Sequence, residues 1–168
     1  MPSPRVFVLP LILSLLAGCD VAGALLASDD RVTDDPADAW SEMLTAVNAA
    51  RAEGRACGST WYEAAPPLAW NGRLARAARV HVEDMAAHDF FSHTGSDGSR
   101  VDDRVERQGY DWRRLGENIA RNQFTVEEVV SQWIESPGHC ANLMHPSFTE
   151  LGAAEVDRHW GQVFGRPR

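Results

Sequence analysis

The sequence predicts an α+β domain, with helices packed on a small and mostly antiparallel sheet, and three observations carry that reading. Between Asp38 and His139 apolar residues recur at helical spacing in four separate stretches. After Pro146 the spacing changes to period two around a short turn. The 168 residues are 44% hydrophobic, enough for one buried core and about one domain's length.

Each element has a local cause. Asp38 is placed to cap a helix whose Trp40, Met43, Leu44 and Val47 share one face, and Gly54 is its stop. Asn71 caps a second, with Leu74, Ala77, Ala78, His81 and Met85 on one stripe, so His81 is read as a buried, hydrogen-bonded imidazole. A third runs from Ser99 to Gly109, where Val105 and Tyr110 suit the apolar contact of a Schellman stop. The fourth begins with a Thr125–Glu128 capping box and a Phe124–Val129 staple, and buries Val126, Val129, Val130 and Trp133. Ser136 then caps a short helix with Pro137 at its first position. Leu151 to Val156 and Trp160 to Phe164 pair as a hairpin through Asp157-Arg158.

Charge excludes nucleic acid as a partner, because 24 acidic residues against 16 basic ones leave a net charge of −8 and no basic stripe. The six Trp lack basic interleaving and read as core and cleft wall. Ser96-Asp97-Gly98 is a turn without the acidic repeat of a calcium loop, and His88, His145 and His159 sit beside turn signals at the surface.

The first eighteen residues form a leader. Arg5 precedes the apolar run from Val6 to Leu16, which is too short to span a bilayer. It ends in Leu16-Ala17-Gly18-Cys19, which resembles the lipobox of bacterial lipoproteins, where cleavage exposes Cys19 for acylation. An ordinary secreted protein with an incidental Cys19 is the rival. Asp20 leaves the destination membrane open. Residues 19–37, with acids at 20, 29, 30, 34 and 35 against Arg31, read as an acidic flexible tether, and 38–168 as the folded domain. Membrane contact is expected only through the lipid.

With Cys19 on lipid, Cys57 and Cys140 remain, and an even pair in an oxidising compartment predicts one disulfide, joining the end of the first helix to the helix bearing His139. A Cys140–His139 nucleophilic dyad is the alternative, disfavoured because neighbours on a helix do not face each other.

Phe91-Ser92-His93-Thr94, Gly116-Glu117-Asn118-Ile119-Ala120, Trp133 and Ser136-Pro137-Gly138-His139 together resemble the bacterial branch of the CAP superfamily. This superfamily comprises cysteine-rich secretory, antigen 5 and pathogenesis-related 1 proteins, and its domain is also called SCP. The resemblance spans Asp38 to Gly165, with Asn48-Ala49-Ala50-Arg51 before it and Trp160 and Phe164 closing it. It implies an α/β/α sandwich with a central cleft lined by two His and two Glu. His93, Glu117 and His139 match three of these. The family's second Glu falls on Ser136, and the neighbouring acid, Glu135, is about 100° away around the helix. Asn118 is read as architectural, holding a Gly-Glu-Asn turn.

Two imidazoles with a carboxylate suit Zn²⁺ or another divalent cation, with His93, His139 and Glu117 as ligands. Two function classes follow. One is an extracytoplasmic, lipid-anchored binding module whose cleft takes a small ligand, a peptide or an envelope component. The other is a metal-dependent hydrolase, peptidase or esterase, with Glu117 as general base or ligand. No His-Glu-x-x-His sequence is present and one carboxylate is displaced, so binding is the preferred reading.

Overall fold

The computed structural model describes residues 38–168; the leader, Cys19 and the tether expected from the sequence lie outside the described residues. The order is α1 (Asp38–Arg51), β1 (Arg55–Cys57), β2 (Thr60–Tyr62), β3 (Ala69–Trp70), α2 (Gly72–His88), α3 (Val101–Arg107), β4 (Trp112–Arg121), α4 (Val126–Glu135), α5 (Pro137–Met144), β5 (Glu150–Val156) and β6 (His159–Pro167). Strands β3-β5-β6-β4 form one sheet, parallel only at β3–β5, and β1 and β2 form a separate hairpin. The α/β/α sandwich implied by the resemblance is present.

Alternation along the strands separates the two helical layers. Leu151, Ala153, Trp160 and Phe164 face α1, α4 and α5, and join Met43, Val47, Val129, Trp133 and Leu143 in one core. Ala154, Val163 and Ile119 face the other way, onto Leu74, Ala78, Val82, Met85 and Val105 of α2 and α3. Each large side chain fully buried in this way stabilises by about 1.5–3 kcal/mol. On the second face the sheet carries Gly152, where an added Cβ would lie 2.0 Å from the Ala75 backbone nitrogen. Helix α2 therefore rests directly on strand backbone.

The helical readings hold in their buried faces and differ at some ends. Asn71 Oδ1 accepts from the Arg73 and Leu74 amides at 2.9 and 3.2 Å. The Schellman stop is complete: Gly109 has φ +72°, and the amides of Gly109 and Tyr110 reach the carbonyls of Glu106 and Val105. Thr125 caps α4 through the Glu128 amide at 3.2 Å, but the staple does not form. Phe124 is 73% exposed and lies under the Arg158 guanidinium, and its amide donates to Glu128 Oε2 at 2.7 Å. Ser136 begins α5 with its carbonyl, at 2.8 Å from the Cys140 amide, and its side chain caps nothing.

Three expectations are corrected. Gly116-Glu117-Asn118 is the middle of β4, not a turn. His145 and His159 are half-buried, while Trp61 stands 61% exposed on β2. Cys57 bonds Cys140, but from β1, so the bridge ties the small hairpin to α5.

Candidate functional site

Strand β4 is an edge strand, and the two helical layers meet along it. Successive residues of a strand point to opposite faces. Glu117 and Asn118 use that alternation to hold the two imidazoles from the two layers.

Glu117 faces the α2–α3 layer. Its Oε1 lies 2.7 Å from His93 Nδ1, and its Oε2 accepts from Arg104 at 2.6 Å. A carboxylate only accepts, so Nδ1 of His93 carries the proton and Nε2 is the remaining ring nitrogen. The Glu117 side chain is 5% exposed and Arg104 2%, whereas His93 is 57% exposed. Burial pushes the Glu117 carboxyl up, but the His93 hydrogen bond and the charges of Arg104 and His81 outweigh it and hold it below the usual carboxylate range. Arg104 also donates to the carbonyls of Ser99 at 2.9 Å and His93 at 3.3 Å, fastening the 93–99 loop to α3.

Asn118 faces the other layer and is fully buried. Its Nδ2 donates to the His139 carbonyl at 3.2 Å, and its Oδ1 accepts from Asn142 at 3.0 Å. Asn142 also donates to the Glu117 carbonyl at 3.1 Å. The disulfide at Cys140 fixes the same turn of α5. Burial, then the nearby His93, lowers the pKa of His139, so its imidazole is neutral at pH 7. Trp133 is buried behind it and donates to the Ile119 carbonyl at 3.3 Å.

His81 is the buried imidazole expected of it, 1% exposed, with Nε2 at 2.8 Å from the Ser92 carbonyl. Burial is the main cause of its lowered pKa. Glu135 is exposed at the end of α4, and Ser136 instead lines the cavity beside His139. Sequence reasoning missed Arg104, Asn142 and Arg121. Arg104 sits in the polar run Asp102-Asp103-Arg104 of a short helix, a pattern that signals solvent and not burial.

As a cation site the donors are fewer than expected. Both Glu117 oxygens are engaged, and among the described residues no group of three His, Cys, Asp or Glu is placed to hold a metal ion. Glu117 stands behind His93 as the group that orients a ring.

A three-layer sandwich with a histidine–carboxylate cleft at its edge strand defines the class. The chain belongs to the CAP, or cysteine-rich secretory protein, family, whose model matches residues 44–161. It is 35% identical over 100 residues to the uncharacterized protein YkwD of Bacillus subtilis, covering 58% of this chain and 39% of that one. It is 33% identical over 97 residues to the uncharacterized membrane protein YlbC of the same organism, covering 58% and 28%. The matches thus span well under half of those relatives. An extracellular SCP-domain protein of Bacillus anthracis superposes with TM-score 0.59 at 33% identity, covering 61% of this chain and 34% of that chain. An outer surface protein of Borrelia burgdorferi shares the fold, with TM-score 0.60 at 16% identity, covering 77% and 90%. Among the described residues no helix is long and apolar enough to cross a membrane.

Proposed function

We propose that this chain is an exported binding module of the CAP family, held at the cell envelope by acylation of Cys19, whose edge-strand cleft captures a small ligand, a peptide or an envelope component. One observation carries the preference for binding over hydrolysis: the Glu117 carboxylate is committed to Arg104 and His93 and held below its ordinary pKa. A general base works best with a pKa near the working pH, and this carboxylate is displaced away from it. Its chemistry is that of an orienting group for His93. The extracellular and outer-surface relatives support export.

A divalent ion is proposed in reduced form, with His93 and His139 as its protein ligands and Glu117 behind His93. Such an ion supplies a Lewis acid at the cleft. The test incubates the mature protein with peptide, ester and peptidoglycan substrates, with zinc or with chelator. No turnover is expected. Chelator-sensitive turnover that disappears in Glu117→Gln overturns the binding reading in favour of the hydrolase. Calorimetry with zinc on His93→Ala and His139→Ala checks the ligands, and mass spectrometry of the mature N-terminus checks the acyl chains.

A further inference from the structure

Beside the His93–Glu117 pair a cavity of about 240 Å³ opens between β4 and the α4–α5 junction. Its polar side chains are Arg121, Gln132, Ser136 and His139, and its apolar wall is Phe91, Ile119, Ala120 and Trp133. In the neighbouring pair both Glu117 oxygens are taken, one by His93 Nδ1 and the other by Arg104, whose Nε alone is buried without a partner. The side chains of the cavity are not engaged in this way. Among the described residues the side chains of Arg121, Gln132, Ser136 and His139 have no protein hydrogen-bond or ion-pair partner, and the Nδ1 atom of His139 is buried in that state. Arg121 stacks its guanidinium over the Phe91 ring, 5.3 Å from the centroid, with no carboxylate beside it. No acid lines the cavity, since Ser136 stands where the resemblance led one to expect a Glu, and Glu135 is exposed outside it.

Four uncommitted polar groups, one of them a permanent cation, therefore share a hollow with an apolar wall. Their complement carries negative charge, accepts several hydrogen bonds and brings an apolar stem. We propose that this cavity is an organic-anion subsite, in which a carboxylate is held by Arg121 with Ser136, Gln132 and His139, and its stem packs on Phe91 and Ile119. The inference rests on the binding reading above and names its ligand class.

The test measures affinity of the mature protein for 3-phenylpropionate, 3-phenylpropanamide and N-acetylphenylalanine by calorimetry, with chelator throughout so that no metal bridges the anion. The acid is expected to bind at least about tenfold more tightly than the amide. Arg121→Gln closes that gap by weakening the acid far more than the amide, while Arg121→Lys restores part of it. Tighter binding of N-acetylphenylalanine than of the bare acid assigns the carboxylate to a peptide terminus, and the reverse order assigns it to a free acid. Equal affinity for acid and amide, an acid affinity unmoved by Arg121→Gln, or no binding of any probe into the millimolar range overturns the proposal. Turnover of a substrate would overturn the binding-only reading without touching this charge discrimination, so the two fail separately.

Discussion

Replacing Arg51 with Met tests the most exacting polar arrangement in the domain. Arg51 is 0% exposed, and its guanidinium reaches the carbonyls of Pro66 at 2.9 and 2.7 Å, Leu143 at 2.6 Å, His145 at 3.2 Å and Phe148 at 3.4 Å. One side chain thus joins the end of α1 to the segment before β3 and to the loop between α5 and β5. Methionine fills much the same volume but donates nothing. The carbonyls of Pro66, Leu143 and Phe148 then lose this donor, at about 1–3 kcal/mol each. Against this stands the desolvation of the cation, which lowers its pKa to about 10 and is relieved by the substitution. The balance is a loss of about 3–5 kcal/mol, read by urea unfolding and by a fall in Tm of about 10–20 °C for a domain of this size. Arg51→Lys recovers only part of it, because an ammonium cannot span the fork. A loss under about 1 kcal/mol in Arg51→Met would refute the reasoning, since it would mean that those carbonyls are satisfied without the guanidinium.

The other predictions concern the site and its supports. Glu117 titrates below its ordinary value of 4.5 in the fold, so its contribution is complete above that pH and lost as pH falls through the lowered value. Urea titrations from pH 7 to 3 should show this loss, and Glu117→Gln should flatten it while costing about 3–5 kcal/mol at pH 7 by leaving Arg104 buried and unpaired. His81 is held below its ordinary 6.5, chiefly by burial, so stability is also expected to decline as pH falls from there through that lowered value, and less so in His81→Gln. Gly152→Ala places a methyl against the α2 backbone and is expected to cost more than about 3 kcal/mol or to prevent folding, measured as soluble yield and Tm. Removing the Cys57–Cys140 bridge, which closes a separation of 83 residues, costs about 4–5 kcal/mol on loop-closure grounds, measured by unfolding with and without reductant.

The helices were legible because their cores are periodic: Leu74, Ala77, Ala78, His81 and Met85 repeat with the helix and are all buried. The β5–β6 hairpin was legible for the matching reason, and its turn residues Asp157 and Arg158 both take positive φ, at 47° and 60°, as a two-residue primed turn demands. Strands β1, β2 and β3 are two or three residues long and leave no period to detect. Strand β4 was hidden for another reason. Trp112-Arg113-Arg114-Leu115-Gly116-Glu117-Asn118 begins with a register shift, and its inward positions hold polar groups where a core strand would hold apolar ones. Of the site, the residues matched by family resemblance were visible one at a time. Arg104 and Arg51 were not, because a long cation is by default a surface residue, and only the partners that surround it reveal otherwise.

The same feature that hid β4 explains how it serves the cleft. A strand at a sheet edge has one side unpaired, and here α5 and the 93–99 loop close over that side from opposite layers. Adjacent side chains on such a strand reach both layers, so Glu117 is able to set His93 while Asn118 sets the backbone of His139. The spacing between the imidazoles then depends on the strand's register together with the 93–99 loop that Arg104 fastens. A slip of one residue would send Glu117 toward α5 and Asn118 toward Arg104, leaving a buried guanidinium without its carboxylate. The irregularity between Trp112 and Arg114 precedes the site, and from Arg114 to Arg121 each residue pairs in unbroken sequence with Arg166 back to His159. That continuous ladder, anchored on the well-buried β6, is what gives two distant imidazoles one fixed geometry.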